Sequence, residues 1–111
     1  MDDCIFCKII KHEIPAQIIY EDDEIMAFND IHPQAPVHIL LLPKKHIQSV
    51  AALSDQDTIL AGKLILKARD LAEKLNLKSF RLVANSGEDA GQSVPHLHFH
   101  LLGGRKLGPI V

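Results

Sequence analysis

Toward one end of the chain runs GQSVPHLHFHLLGG, residues 91–104, in which His96, His98 and His100 occupy every second position with only apolar residues between them. No other feature restricts the fold so sharply. Side chains of an extended strand alternate between faces, and neighbours on one face repeat at about 7 Å. The three imidazoles therefore project together while Leu97, Phe99 and Leu101 turn into a core. A slip of one residue would exchange the two sets and bury the row of histidines, so the pattern fixes its own register. The spacing predicts a final strand over PHLHFHLL with a site on one face. From the residues alone that site is a metal centre, a catalytic centre, or a polar face that happens to be histidine. Neutral imidazole suits ligation and base or nucleophile work alike near neutral pH. Three rings on one straight strand converge poorly on a single ion, because the outer two lie about 13 Å apart.

The rest of the chain supplies the setting. At 111 residues it reads as one domain, 1–111, with a single core. Its 47% apolar and 23% charged content excludes disordered and fibrous classes. A formal net charge of −2 and the lack of a basic run argue against nucleic-acid or anionic-membrane partners. No segment approaches the roughly 20 apolar residues of a membrane span. MDDCIFCKII is acidic first and only briefly apolar, the wrong order for a secretory signal, so the expected compartment is the cytoplasm.

CIFCKIIK predicts a short N-terminal helix, and QIIYED and EIMAFND a hairpin around the acidic turn Glu21–Glu24. VHILLLP reads as a buried strand ending at Pro43; residues 44–53 are open, a short helix being one reading. Ser54, with Asp57 three positions on, opens the one long helix. Leu60, Leu64, Ala68, Leu71 and Leu75, joined by Ala61, Ile65 and Ala72, form its core stripe. Ile59, Gly62 and Leu66 make a second, smaller apolar face, which is either scattered surface or a contact between two subunits. FRLVANS predicts another strand. The order predicts an α+β domain with a mostly antiparallel sheet of about five strands.

Two further motifs carry chemistry. Gly91-Gln92-Ser93-Val94-Pro95 leads directly into the histidines, and a glycine loop with consecutive N–H groups and a hydroxyl makes an anion cradle. Cys4 and Cys7 form a C-x-x-C. In a reducing compartment that pattern favours metal binding or redox chemistry over a structural disulfide, and both thiolates reach one ion. A closed tetrahedral site needs two more ligands.

With these residues in view, HLHFHLL matches the H-φ-H-φ-H-φ-φ signature (φ apolar) and resembles the histidine-triad (HIT) family of nucleotide-binding proteins. The resemblance covers nearly the whole chain: residues 5–47 look like the N-terminal half of the Hint-like branch, and RLVANSGEDAGQSVPHLHFHLLGGR like its active-site half. Gly103-Gly104 favours that branch over dinucleoside-polyphosphate hydrolases, and His100 points to hydrolysis, since related transferases carry glutamine there.

The resemblance implies a HIT-like fold and hydrolysis of purine nucleoside phosphoramidates, with AMP- or GMP-type nucleotides as ligands. It implies His98 as nucleophile, His100 bonding the phosphate or leaving group, and His38 supporting them electrostatically. Asp30 corresponds to the ribose ligand; Asn85, Gly91, Gln92, Ser93 and Val94 to the phosphate cradle; Phe6, Phe28 and Ile31 to a base pocket, although each reads equally well as plain core. It also implies a structural zinc ion on Cys4, Cys7, His46 and His96, and a homodimer. The tail Arg105–Val111 lacks the tryptophan that some members contribute across the dimer. A nucleotide-binding module with little or no turnover stays open beside the enzyme.

Overall fold

The structure is a computed structural model describing residues 3–111. Its main elements are α1 (Ile5–Ile10), β1 (Ile18–Glu21), β2 (Ile25–Asn29), β3 (Val37–Pro43), α2 (Thr58–Lys74), β4 (Phe80–Val83) and β5 (Phe99–Gly103). The five strands form one antiparallel sheet in the order β1-β2-β3-β5-β4, the α+β arrangement expected from the sequence. The hairpin between β1 and β2 closes on Asp22, whose Oδ1 accepts the N–H groups of Glu24 and Ile25 at 2.7 and 2.8 Å. A short carboxylate can mimic a turn in this way.

Alternation sorts the apolar side chains onto two faces of the sheet. Ile25 and Ala27 of β2, with Ile39 and Leu41 of β3, pack with Leu64, Ala68, Leu71 and Ala72 of α2 and with Leu97 and Leu101. Met26, Phe28, Leu40 and Leu42 pack on the other face with Cys4, Phe6 and Ile9 at α1. Both faces are therefore covered, one by the long helix and one by a six-residue helix that carries the C-x-x-C. Each large side chain sealed here stabilises the fold by about 2 kcal/mol. Among the described residues no helix is long and apolar enough to cross a membrane.

The long helix differs in detail from its sequence pattern. Ser54 and Asp57 do form a capping box, but on a 3-10 turn, Asp55–Asp57, that runs straight into α2. Leu75 and Ile65 lie outside the core stripe, at 40% and 52% exposure. Leu75 follows the last helical residue, and Asn76 takes a positive φ of 59°, which turns the chain and hands the core position to Leu77. Ile65, one position past the sealed Leu64, is turned to solvent. Ile59 and Leu66 stay exposed on the opposite side. Residues 44–53 contain one 3-10 turn, Val50–Ala52.

Gly104, just after β5, has φ +94°, and a Cβ there would stand 2.9 Å from Pro36 Cβ. Strain and clash act together at this position. Gly104→Ala is expected to destabilise the fold by about 2 kcal/mol, read as a lower midpoint in urea with an unchanged slope.

Candidate active site and metal centre

β5 begins at Phe99, so the strand expected over PHLHFHLL covers only its second half. The ladder with β3 pairs Leu41 with Phe99 and goes no further toward the N-terminus of β5. β3 ends at Pro43, which has no N–H to offer. Instead the Pro43 carbonyl accepts His96 Nε2–H at 2.8 Å, and Leu97 N–H turns to Ile47 O at 2.6 Å. His96 and His98 thus precede the strand in an irregular lead-in, buried at 0% and 5% exposure. They do not form an open polar face: the Phe6 ring stands edge-on to both, its centroid 6.0 Å from His96 and 5.0 Å from His98.

Hydrogen bonds assign the tautomers. A carbonyl oxygen only accepts, so His98 carries its proton on Nδ1, donated to His96 O at 2.7 Å. The lone pair of His98 is then on Nε2. A backbone N–H only donates, so Gln34 N–H at 3.0 Å fixes the lone pair of His38 on Nδ1 and its proton on Nε2. That proton is donated to His100 Nδ1 at 2.9 Å, while Asp30 Oδ2 stands 3.4 Å from the same nitrogen without a hydrogen bond. His100 therefore accepts at Nδ1 and carries its own proton on Nε2. Asp30, His38 and His100 lie close enough together to invite an ion, but His38 presents a proton there rather than a lone pair. His38 and His100 form a hydrogen-bonded pair with the Asp30 carboxylate beside it.

The phosphate-cradle candidates sit on the segment between β4 and β5. Gly87 and Gly91 take positive φ values of 95° and 99°, and Asn85 lies beneath Gly91. Ser93 is exposed and Val94 is half-buried against the α1-side core. The Gln92 side chain is engaged within the loop. Its Oε1 accepts Gly87 N–H at 2.8 Å, and its Nε2 donates to Gln48 O and Val94 O at 2.8 and 3.0 Å. The side chain braces the loop and leaves no arm for a ligand. Of the base-pocket candidates, Phe6 and Phe28 are buried core residues in edge-to-face contact at 5.6 Å. Ile31 is 85% exposed on the rim of a groove of about 500 Å³ that Asp30, Asn29 and Pro15 also line.

Cys4, Cys7, His46 and His96 converge as the resemblance implied, although they come from three separated segments. All four ligand atoms lie within 4.8 Å of one another. His96 Nδ1 stands 3.5 Å from Cys4 Sγ, 3.6 Å from Cys7 Sγ and 3.1 Å from His46 Nδ1, and Cys7 Sγ is 3.3 Å from His46 Nδ1. With its proton committed to Pro43 O, His96 aims a lone pair into the cluster. Cys4 Sγ also accepts Cys7 N–H at 3.3 Å, which fixes the turn between the two sulfurs. The set fits the zinc-binding C-x-x-C subset of the family the sequence resembled.

A family model described as the HIT domain matches residues 11–107. The chain belongs to the HIT family. An uncharacterized HIT-like protein of Synechocystis is 53% identical over 94% of this chain and 92% of its own. The purine nucleoside phosphoramidase of Escherichia coli K12 is 44% identical over 99% of this chain and 94% of its own. Among solved structures, a HIT family hydrolase from Legionella pneumophila superposes with a TM-score of 0.94 at 45% identity, covering 96% of both chains. A histidine triad protein from Clostridium difficile gives 0.95 at 42% identity over 100% and 98%.

In this HIT protein burial keeps His98 and His100 neutral at pH 7. Burial holds His98 below the usual imidazole value, opposed by its bond to His96 O and by Asp30. Burial, then the neighbouring His98 and His38, push His100 down to about 4. An unfolded chain takes up that proton near 6.5, whereas the folded one refuses it until about 4. Stability is therefore whole above the unfolded value and is lost as pH falls from about 6.5 to about 4. After screening at this half-buried ring, the loss is on the order of 1–2 kcal/mol. Urea titrations at pH 7.5, 6, 5 and 4.5 check this, and His100→Gln should flatten the slope in that window.

Sequence reasoning missed the groups that set these states. Gln34 N–H, Pro43 O and His96 O are backbone atoms, with no residue-type signature. Lys45 carries no motif signal either, yet its Nζ meets the buried Asp57 at 2.8 Å and so ties the His46 loop to the start of α2. Lys44 pairs with Glu21 at 2.7 Å.

Proposed function

We propose that this HIT-family hydrolase cleaves purine nucleoside phosphoramidates, releasing a nucleoside monophosphate and an amine, through a nucleotide bound covalently to His98. The observation that carries the reading is the tautomer of His98: its proton is tied to His96 O and its free lone pair is on Nε2. The 44% identity to a purine nucleoside phosphoramidase supports the substrate class.

In the first displacement His98 Nε2 attacks phosphorus and the P–N bond breaks. The departing nitrogen takes a proton from solvent and leaves as neutral amine, with His100 Nε2–H as the hydrogen-bond donor beside it. Water then attacks phosphorus and breaks the P–Nε2 bond. It leaves its hydroxyl on phosphorus and returns the proton to solvent. Two low barriers replace one high one. Ser93, Asn85 and the Ser93 and Val94 backbone would hold the phosphoryl oxygens as charge builds on them, since Gly91 and Gln92 donate their N–H groups to Glu88 O and Gly87 O within the loop. Asp30 would accept the ribose hydroxyls, with Phe6, Phe28 and Ile31 toward the base.

The metal on this reading is zinc and structural. Tetrahedral zinc spaces two nitrogens by about 3.3 Å and a nitrogen and a sulfur by about 3.6 Å, close to the distances in the cluster. The ion would cross-link α1, the His46 loop and His96, and it supplies no step of the reaction. Two reduced cysteines suit a cytoplasmic protein, and the exposed Ile59–Leu66 face suits a homodimer; light scattering giving a monomer mass would remove the dimer. The deciding assay follows AMP and ammonia released from adenosine phosphoramidate by purified protein. Folded protein that binds AMP but releases no amine would replace the enzyme with a nucleotide-binding module.

A further inference from the structure

Three links join the cysteine–histidine cluster to the reacting face. Cys4 and Cys7 flank Phe6 on α1, and the Phe6 ring packs edge-on against His98. His96 lends its own carbonyl to His98 Nδ1, so the peptide group of a metal ligand sets the tautomer of the nucleophile. His46 opens a segment stitched to the phosphate loop by Leu97 N–H to Ile47 O, Gln92 Nε2 to Gln48 O, and Ala51 N–H to Ser86 Oγ at 3.1 Å. A groove of about 380 Å³ lined by Cys4, His46, Gln48, Ser93 and Val94 runs across the join, so one wall belongs to the cluster and the other to the cradle. At six residues, α1 is far too short to hold its shape without such anchors.

We propose that metal occupancy and nucleotide binding are coupled in this protein. An ion on Cys4, Cys7, His46 and His96 tightens the hold of residues 86–98 on a nucleoside phosphate, and a bound nucleotide tightens the hold on the ion. The inference rests on the nucleotide and zinc readings above and adds metal supply as a control on the same site. Linkage makes the effect reciprocal: each ligand must change the affinity of the other by the same factor. Without the ion, Phe6 and the 46–49 segment lose one of their anchors, and the loop must be ordered at the expense of phosphate affinity.

The test uses the full chain, zinc and AMP. Zinc affinity is measured by competition with a chromophoric chelator, with and without saturating AMP. AMP affinity is measured by calorimetry on zinc-loaded and metal-free protein. Both are expected to change by one common factor of about fivefold or more. Gln92→Met keeps the length of the side chain but removes its three hydrogen bonds, and should retain zinc while the factor shrinks toward one. Normal AMP binding to loaded protein with an unchanged zinc affinity overturns the coupling and leaves the nucleotide reading standing. Failure of AMP to bind loaded protein overturns both. Metal-free protein that has lost its far-ultraviolet circular dichroism, or an undiminished factor in Gln92→Met, makes the effect global unfolding and overturns the local route.

Discussion

Replacing His98 with alanine is expected to lower kcat on adenosine phosphoramidate by roughly four orders of magnitude, the scale seen when a nucleophile is removed. AMP should still bind. No neighbour can take over the attack. His100 accepts the His38 proton at Nδ1 and carries its own on Nε2, so neither ring nitrogen offers a free lone pair. His96 points its proton at Pro43 O and its lone pair at the two sulfurs and His46. Water would then be the only nucleophile, with no free imidazole lone pair beside it to take its proton. Single-turnover reactions quenched in base should trap labelled nucleotide on the native protein and none on the variant. Activity within tenfold of the native value in His98→Ala would falsify the covalent route. His38→Ala should cost less, because it releases the tautomer of His100 without removing the attacking atom.

How far such a site could be read beforehand depended on where its information resides. The period-2 pattern placed Leu97 and Leu101 in one core and the histidines on the opposite face, because burial of an alternating strand depends on residue type alone. It did not show that the strand starts at Phe99, since that boundary reflects the missing N–H of Pro43 and two bonds to distant backbone. The division of the triad between two tasks came from family resemblance; nothing in H-x-H-x-H separates His96 from His98. Gln92 entered the cradle as part of the glycine loop that the resemblance matches, and only the positions of Gly87, Gln48 and Val94 show that its side chain is a brace. Ile31 came from the family resemblance, and it is exposed on the rim of the groove beside Asp30. Helical spacing ran on to Leu75 because periodicity does not register the left-handed turn at Asn76. Side-chain chemistry was legible; hydrogen bonds supplied by backbone atoms were not.

Removing the metal is expected to cost at least 10 °C in Tm, roughly, for a domain of this size. A ligand held at a thousand times its dissociation constant stabilises the fold by about 4 kcal/mol, and each kcal/mol moves Tm by several degrees in a small domain. Cys7→Ser is the informative variant. Cys7 is half-buried, so serine removes a ligand with little loss of packing, whereas Cys4 is sealed in the core beside Phe6 and Ile9. Left without the ion, Cys7 has a thiol that burial, and then Cys4, push above its ordinary value, and His96 keeps a buried lone pair facing sulfur. Calorimetry should show native protein falling to the Tm of Cys7→Ser when chelator is added, and the variant indifferent to chelator. Native protein with no bound zinc and an unmoved Tm would mean that the four side chains meet for packing alone. The coupling to the nucleotide site would then have nothing to act through, because α1 would be held by Phe6 and Ile9 whatever the metal supply.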